Sequence, residues 1–275
     1  MIKTKEQIIE HFKSGSKEAS NLKIGVEHEK FIFDKKTNKR IDYTRITQMF
    51  EKLYEFGWKP IFEGKHVIAL KKNDKNITLE PGNQIELSGA KLNNIHETFD
   101  ELFQHKTQVD EVGSELGIGF LGAGLTPDWS LDEMPVMPKK RYKIMKDYMP
   151  QKGSLGQNMM FRSTTIQVNL DYSSEADMVK KFKTSLALQP IATALFANSP
   201  FLDGSLNGFK SFRSQIWTDT DPDRAGILPF VFDSGMSYER YVDYALKVPM
   251  YFVCLLYTSD AADDLLCVDL GGRRI

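Results

Sequence analysis

The chain has 275 residues, 36 basic against 37 acidic side chains and a formal net charge of -1, so it carries no global basic field to attract nucleic acid or anionic lipid. A hydrophobic fraction of 41% supports a packed core rather than disorder, and the length allows one large domain or two small ones. No run of about 18 apolar residues predicts a membrane span, and the polar N-terminus lacks the apolar stretch of a secretory signal. The only cysteines, Cys254 and Cys267, exclude a disulfide scaffold and fit a reducing compartment, read as the cytoplasm.

Thr4 as a cap, followed by Ile8, Ile9 and Phe12, predicts a helix over residues 4–14. Residues 21–33 read as a strand through Leu22, Ile24, Val26, Phe31 and Phe33, ending in a polar turn at 34–38 expected as a hairpin tip. Helical periodicity returns over 43–54, and 58–70 and 76–88 read as successive strands. Residues 92–116 predict a long amphipathic helix with Ile95, Phe99, Leu102, Phe103 and Val109 on its apolar side. Residues 117–125 are strand-like, 127–138 a proline-rich loop, 141–149 a short helix and 153–160 a flexible glycine-containing loop. Alternation over 161–172 predicts a half-buried strand with Ile166, Val168 and Leu170 on one face and Thr165, Gln167, Asn169 and Asp171 on the other. A helix over 174–202, stopped at Ser199-Pro200, then a long loop-rich stretch over 203–235 and a helix over 238–246 complete the pattern. Together these elements predict an α+β fold with a mainly antiparallel sheet.

Two acidic clusters stand out: Glu27 and Glu29 in residues 24–29, and Glu80, Gln84 and Glu86 in residues 79–86. In a strand, positions two apart share a face. Carboxylates crowded on one face repel one another unless a cation lies between them, and an all-oxygen cage suits Mg2+ together with substrate phosphates. A solvated strand face is the competing reading of the same alternation. Arg162, Gln167 and Asn169 on the strand at 161–171 suit recognition of a small zwitterion or carboxylate. Arg213, Trp217, Asp221 and Arg224 cluster in a loop, where the arginines either clamp an anionic substrate or pair locally with Asp219, Asp221 and Asp223. The glycines of 120–125 match neither a Walker loop nor a dinucleotide fingerprint, and the histidines show no metal-ligand spacing.

The motif Leu-Glu-Pro-Gly-Asn-Gln-Ile-Glu-Leu-Ser-Gly at 79–89, the run Leu-Gln-Pro-Ile-Ala-Thr-Ala-Leu-Phe-Ala-Asn-Ser-Pro-Phe at 188–201, and Tyr-Val-Asp-Tyr-Ala-Leu at 241–246 followed by Val-Pro-Met-Tyr-Phe at 248–252 together resemble the plant and proteobacterial type of glutamate-cysteine ligase. The resemblance spans nearly all of residues 20–253. It implies a glutamine-synthetase-like core, a curved and mainly antiparallel sheet flanked by helices, here incomplete at the C-terminus. It implies ATP- and Mg2+-dependent ligation of the glutamate γ-carboxylate to cysteine through a γ-glutamyl phosphate, the first step of glutathione biosynthesis. Its partners would be small molecules, with no nucleic acid or membrane, and monomer and homodimer both stay open. Glu27, Glu29, Glu80 and Glu86 would hold metal and nucleotide; Arg162 and Arg213 would be catalytic; Gln167, Asn169, Trp217 and Arg224 would contact substrate. A related ligase with another amine acceptor, or a non-catalytic ligand-binding fragment, are the alternatives. Asn83 stands where the family usually has a glycine, a substitution that Asn tolerates because it accepts left-handed backbone. Residues 1–253 are then expected to be a partial catalytic domain, and 254–275, which resemble a translated sequencing adapter, a non-native tail.

Overall fold

A computed structural model gives the structure of residues 4–249, and the tail expected at 254–275 lies outside these described residues. The central element is β1 (Ile24–Asp34), 11 residues long. Its alternation sends Val26, His28, Lys30 and Ile32 to one side of the sheet, the back, and Glu27, Glu29, Phe31 and Phe33 to the front. Strands β2 (Lys59–Glu63), β3 (His66–Lys72), β4 (Lys75–Leu79) and β5 (Ile85–Ser88) form an antiparallel meander that ends against β1. On the far side of β1, β6 (Ile118–Leu121) pairs with residues 31–34 and β7 (Ile166–Leu170) with residues 24–28, both antiparallel. The main sheet therefore has seven strands, all joined antiparallel, as the α+β reading expects.

The back is closed by α2 (Tyr43–Leu53) and α3 (Ile95–Leu116). Ile32, Ile77, Leu79, Ile85 and Leu87 from the sheet meet Ile46, Met49, Phe50 and Leu53 of α2 and Val109 and Val112 of α3, nearly all fully buried. Each such side chain contributes about 1.5–3 kcal/mol, so this layer fixes the register that points the glutamates forward. Buried polar groups share the back: the Lys30 ammonium and both His105 ring nitrogens have no hydrogen-bond partner. Burial pushes Lys30 down to about 8 and His28 down to about 4.

The front is covered at one end only. Phe31 packs with Trp129, Met134, Met149, Met160 and Phe161, while Glu27 and Glu29 lie beyond this cluster. The segment 153–160, expected as a flexible loop, instead leads into α5 (Gly156–Arg162), because Met160 and Phe161 are drawn into that cluster. Its glycines serve close approach: a Cβ on Gly153 would meet the Asp219 carbonyl oxygen at 2.5 Å.

Three other expectations change. The turn at 34–38 closes as a hairpin tip only through the single antiparallel bridge of Phe33 with Arg40, and the chain then enters α2 instead of a second long strand. The helix expected over 174–202 is α6 (Glu175–Leu195), and Phe201–Leu202 instead forms β8, paired with β9 (Ser205–Leu206). The loop-rich stretch contains α7 (Phe212–Thr218), before α8 (Tyr238–Ala245). The shorter helices α1 (Lys5–Ser14) and α4 (Lys140–Tyr148) lie where expected.

The β4–β5 turn carries Glu80 and is held from several sides. Its backbone closes through Asn83 N–H to the Glu80 carbonyl at 2.9 Å and Glu80 N–H to the Gln84 carbonyl at 2.9 Å. Gln84 accepts from Gly82 N–H and donates to the Met160 and Ser163 carbonyls. Asn83 adopts φ 57°, a left-handed conformation as expected, yet its amide is fully buried with neither polar atom partnered. Asn83→Gly should therefore stabilise the chain by about 1 kcal/mol, combining relief of a buried unpaired amide with glycine's ease at positive φ. Asn83→Val should destabilise it by about 1–2 kcal/mol. Equilibrium urea unfolding checks both signs, and a stabilising valine would contradict the assignment.

Candidate active site

The registers bring the acidic clusters together. Glu29 of β1 stands directly opposite Glu86 of β5, and Glu86 in turn opposite Thr78 of β4. Partners in an antiparallel pair project to the same face, so Glu29 and Glu86 share the front. Glu80 follows β4 two positions after Thr78, on the same side of the alternation. Glu27, opposite Ser88 and Gln167, completes the row.

Each carboxylate has a defined neighbour. Glu29 accepts the Thr165 backbone N–H at 2.8 Å. Glu86 accepts the Ser88 hydroxyl. Glu27 accepts the Asn169 amide at 3.1 Å, and Asn169 accepts from Gln167 at 3.1 Å. The expected polar face of β7 thus does look into the site, and it orients Glu27. The expected apolar face of β7 is not buried: Ile166, Val168 and Leu170 are exposed.

Burial pushes Glu29 up to about 9, and the charges of Glu80 and Glu86 add to the effect, against the opposing Thr165 N–H and Arg213. The charge effects and the strand registers agree in bringing β1, the β4–β5 turn and β5 to one place. Among the described residues, no group of three or more His, Cys, Asp or Glu side chains is gathered so as to hold a metal as it stands.

The four arginine and tryptophan expectations divide. Arg213 of α7 reaches the site: Glu29 acts on its charge, its Nε has no partner, and its guanidinium lies 5.9 Å from the Trp217 ring. Arg162 does not join the glutamates. It is the last residue of α5 rather than the first of a strand, and it donates to Thr126 at 3.0 Å, Asn158 of its own helix at 3.2 Å and Asp203 at 2.7 Å, tying the end of α5 to two loops. Arg224 is paired locally with the buried Asp221 at 2.6 Å and stacks on Tyr148, the second of the two readings the sequence left open.

Three residues escaped the sequence reading. Tyr142 is fully buried and donates to the Leu79 carbonyl at 2.9 Å, with Glu80 Oε1 at 3.5 Å. Arg141 packs over the Tyr142 ring at 4.7 Å and donates to its hydroxyl at 2.8 Å, and the charges of Glu80 and Glu86 act on it. Lys139 donates to the Leu79 carbonyl at 3.2 Å, and burial pulls it down to about 8. In sequence these belong to a lysine-rich stretch that reads as a solvated helix start; only the aromatic Tyr142 beside them signals a buried side. Lys139 also lines a cleft of about 840 Å³ with Lys65, Lys140, Lys143 and Lys146, between the β2–β3 turn and α4.

The shift of Glu29 has a testable sign. A carboxyl with a folded value of about 9 against an ordinary 4.5 gives stability that is complete below 4.5 and is lost as pH rises through 9. In metal-free buffer the parent chain should lose stability relative to Glu29→Gln as pH rises from 5 to 9, read as the difference between the two melting-temperature profiles, because the lowered His28, His105 and Lys30 act in the opposite sense in both. An unchanged slope in the variant would contradict the burial of Glu29 among like charges.

The sequence is similar to those of known proteins. The model of Glutamate-cysteine ligase family 2 (GCS2) matches residues 23–255. Glutamate-cysteine ligase A, chloroplastic, of Oryza sativa subsp. japonica is 56% identical over 251 residues, covering 91% of this chain and 51% of the rice protein. The chloroplastic glutamate-cysteine ligase of Nicotiana tabacum is 55% identical over 251 residues (91% and 48%), and that of Arabidopsis thaliana 54% over 250 residues (90% and 48%). The chain therefore spans about half the length of the curated relatives it matches. The cytoplasmic expectation is corrected: the relatives that the chain matches are chloroplastic proteins. Few cysteines fit a reducing compartment without saying which one. With the family model matching most of its length, this chain belongs to the glutamate-cysteine ligase family 2.

Proposed function

We propose that this chain supplies the acidic sheet of a glutamine-synthetase-like core that joins the γ-carboxylate of L-glutamate to the amine of L-cysteine, with ATP and Mg2+. The observation that carries the reading is the convergence of Glu29, Glu80 and Glu86 from three chain segments, with Arg213 beside Glu29 and Arg141 beside Glu80. Phosphoryl transfer asks for charge neutralisation and in-line positioning more than for a nucleophilic side chain.

The donor set fits the metal chemically. It is all oxygen, as Mg2+ prefers, and ionising Glu29 beside two further carboxylates is costly unless a cation joins them. Glu27, Glu29, Glu80 and Glu86 would hold the ion, which when bound neutralises phosphate charge. Arg213, with its Nε free and its plane against Trp217, is suited to hold a substrate carboxylate. The Gln167–Asn169 pair fixes Glu27 and offers amide groups to an amino-acid substrate. Arg141 and Lys139 are suited to hold phosphate oxygens next to Glu80, with the lysine-lined cleft as the path for a polyphosphate tail. In the reaction, a γ-carboxylate oxygen of glutamate attacks the γ-phosphorus and the bond to ADP breaks. The cysteine amine then attacks the acyl carbon, losing a proton, and phosphate leaves.

Isothermal titration with Mg2+ tests the site in this chain. Glu86→Gln and Glu29→Gln should each weaken binding by at least the ~10–100-fold that loss of an outer-sphere partner costs. Binding unchanged by either substitution would remove the metal assignment. Phosphate release from ATP should require glutamate and rise with cysteine, and another amine outpacing cysteine about tenfold, some 1.4 kcal/mol in barrier, would overturn the choice of acceptor.

A further inference from the structure

Helix α3 presents to the core only part of the stripe that its sequence advertises, Leu102 and Val109. Thr98, Glu101, His105, Val109 and Val112 point inward, while Ile95, Phe99 and Phe103, at successive fourth positions, are 59–66% exposed. The Phe99 and Phe103 rings stack on each other at 6.1 Å. One flank of α3 is fixed over the meander, because Gln108 accepts from Trp58 Nε1 at 2.8 Å. At about 100° per residue, the Ile95–Phe99–Phe103 stripe lies on the opposite flank, toward β7.

Strand β7 answers with an apolar row. Ile166 pairs with His28, Val168 with Val26 and Leu170 with Ile24, so these side chains project to the back, the side on which α3 packs. They too are exposed, at 47–61%. The outer edge of β7 has no strand partner among the described residues. Six large apolar side chains thus stand exposed on the back of the sheet in two rows, one on β7 and one on the flank of α3 turned away from the meander, and the strip between the rows, the trough, has the marks of a docking surface rather than of ordinary solvent-facing surface.

We infer that this trough is the berth of an amphipathic helix from a polypeptide equivalent to the half of the relatives' length that this chain does not match. The relatives matched over 251 residues are about twice as long, so such a segment exists in them. A helix fits because α3 already forms a helical layer on this face, and a second helix beside it would bury both apolar rows at once. A second copy of this chain is the competing occupant, and the oligomeric state of the chain alone separates the two. The inference does not rest on the ligase reading and needs no turnover to be tested.

The test is co-expression of this full chain with the portion of the Oryza sativa ligase A outside the matched segment, followed by co-purification and hydrogen exchange. A one-to-one complex is expected, with amide exchange at residues 166–170 slowed about tenfold or more. Phe99→Asp with Phe103→Asp, and separately Val168→Asp, should weaken the complex at least about tenfold, while Phe62→Asp, at an exposed position on β2, should not. Circular dichroism verifies that each variant keeps its fold. Failure to form a complex, a complex indifferent to all the trough variants, or a homodimer of this chain broken by those same variants would each overturn the inference.

Discussion

Repulsion among buried carboxylates is the constraint on which the arrangement depends. A single carboxylate on a strand can turn to solvent, but Glu29 cannot easily do so. It is opposite Glu86 by register, tied to the Thr165 backbone and near Glu80. Burial and like charge both favour its neutral form. Nothing in folding rewards such a group for its own sake, so the chain carries a local cost that a bound cation would offset. The arginines temper the cost without removing it: Arg213 acts on Glu29 through its charge and Arg141 on Glu80 and Glu86, but no ion pair to Glu29 forms among the described residues.

The remainder of the fold keeps those groups from escaping. The aliphatic layer on the back fixes the register of β4, β5 and β1. The β4–β5 turn is sewn to the end of α5 through Gln84, and to α4 through Tyr142 and Lys139, which both reach the Leu79 carbonyl. Arg162, which ties Thr126, Asn158 and Asp203 together, steadies the α5 end of the same assembly. Side chains that looked chemical in the sequence are in part the scaffolding of the chemistry.

Local rules reached the strand at 21–33 and the extended character of 58–70 and 76–88, but each of the last two is a pair of strands, β2 with β3 and β4 with β5, folded at turns that the two-residue period does not register. They also reached the left-handed Asn83, whose neighbours Pro81 and Gly82 mark a turn. They missed Lys139 and Arg141, because burial of a basic pair depends on an aromatic ring and a carboxylate some 60 positions away. They misplaced Arg162 because residues 156–162 coil into α5 under the pull of Met160 and Phe161, which alternation alone does not register. The long helix was legible but its orientation was not: polar Thr98, Glu101 and His105 face the sheet, and the phenylalanines face outward. That inversion makes physical sense for a polypeptide whose relatives are about twice its length.

The central claim is that glutamates from β1, β5 and the intervening turn share one cation. Crystals of this chain soaked in Mn2+, with anomalous diffraction recorded at the manganese edge, measure this most directly. The account predicts a single strong peak within about 2.3 Å of carboxylate oxygens of Glu29 and Glu86, the coordination distance of a hard divalent ion. A lattice that takes up manganese only elsewhere, with Glu29 and Glu86 left apart, would contradict it.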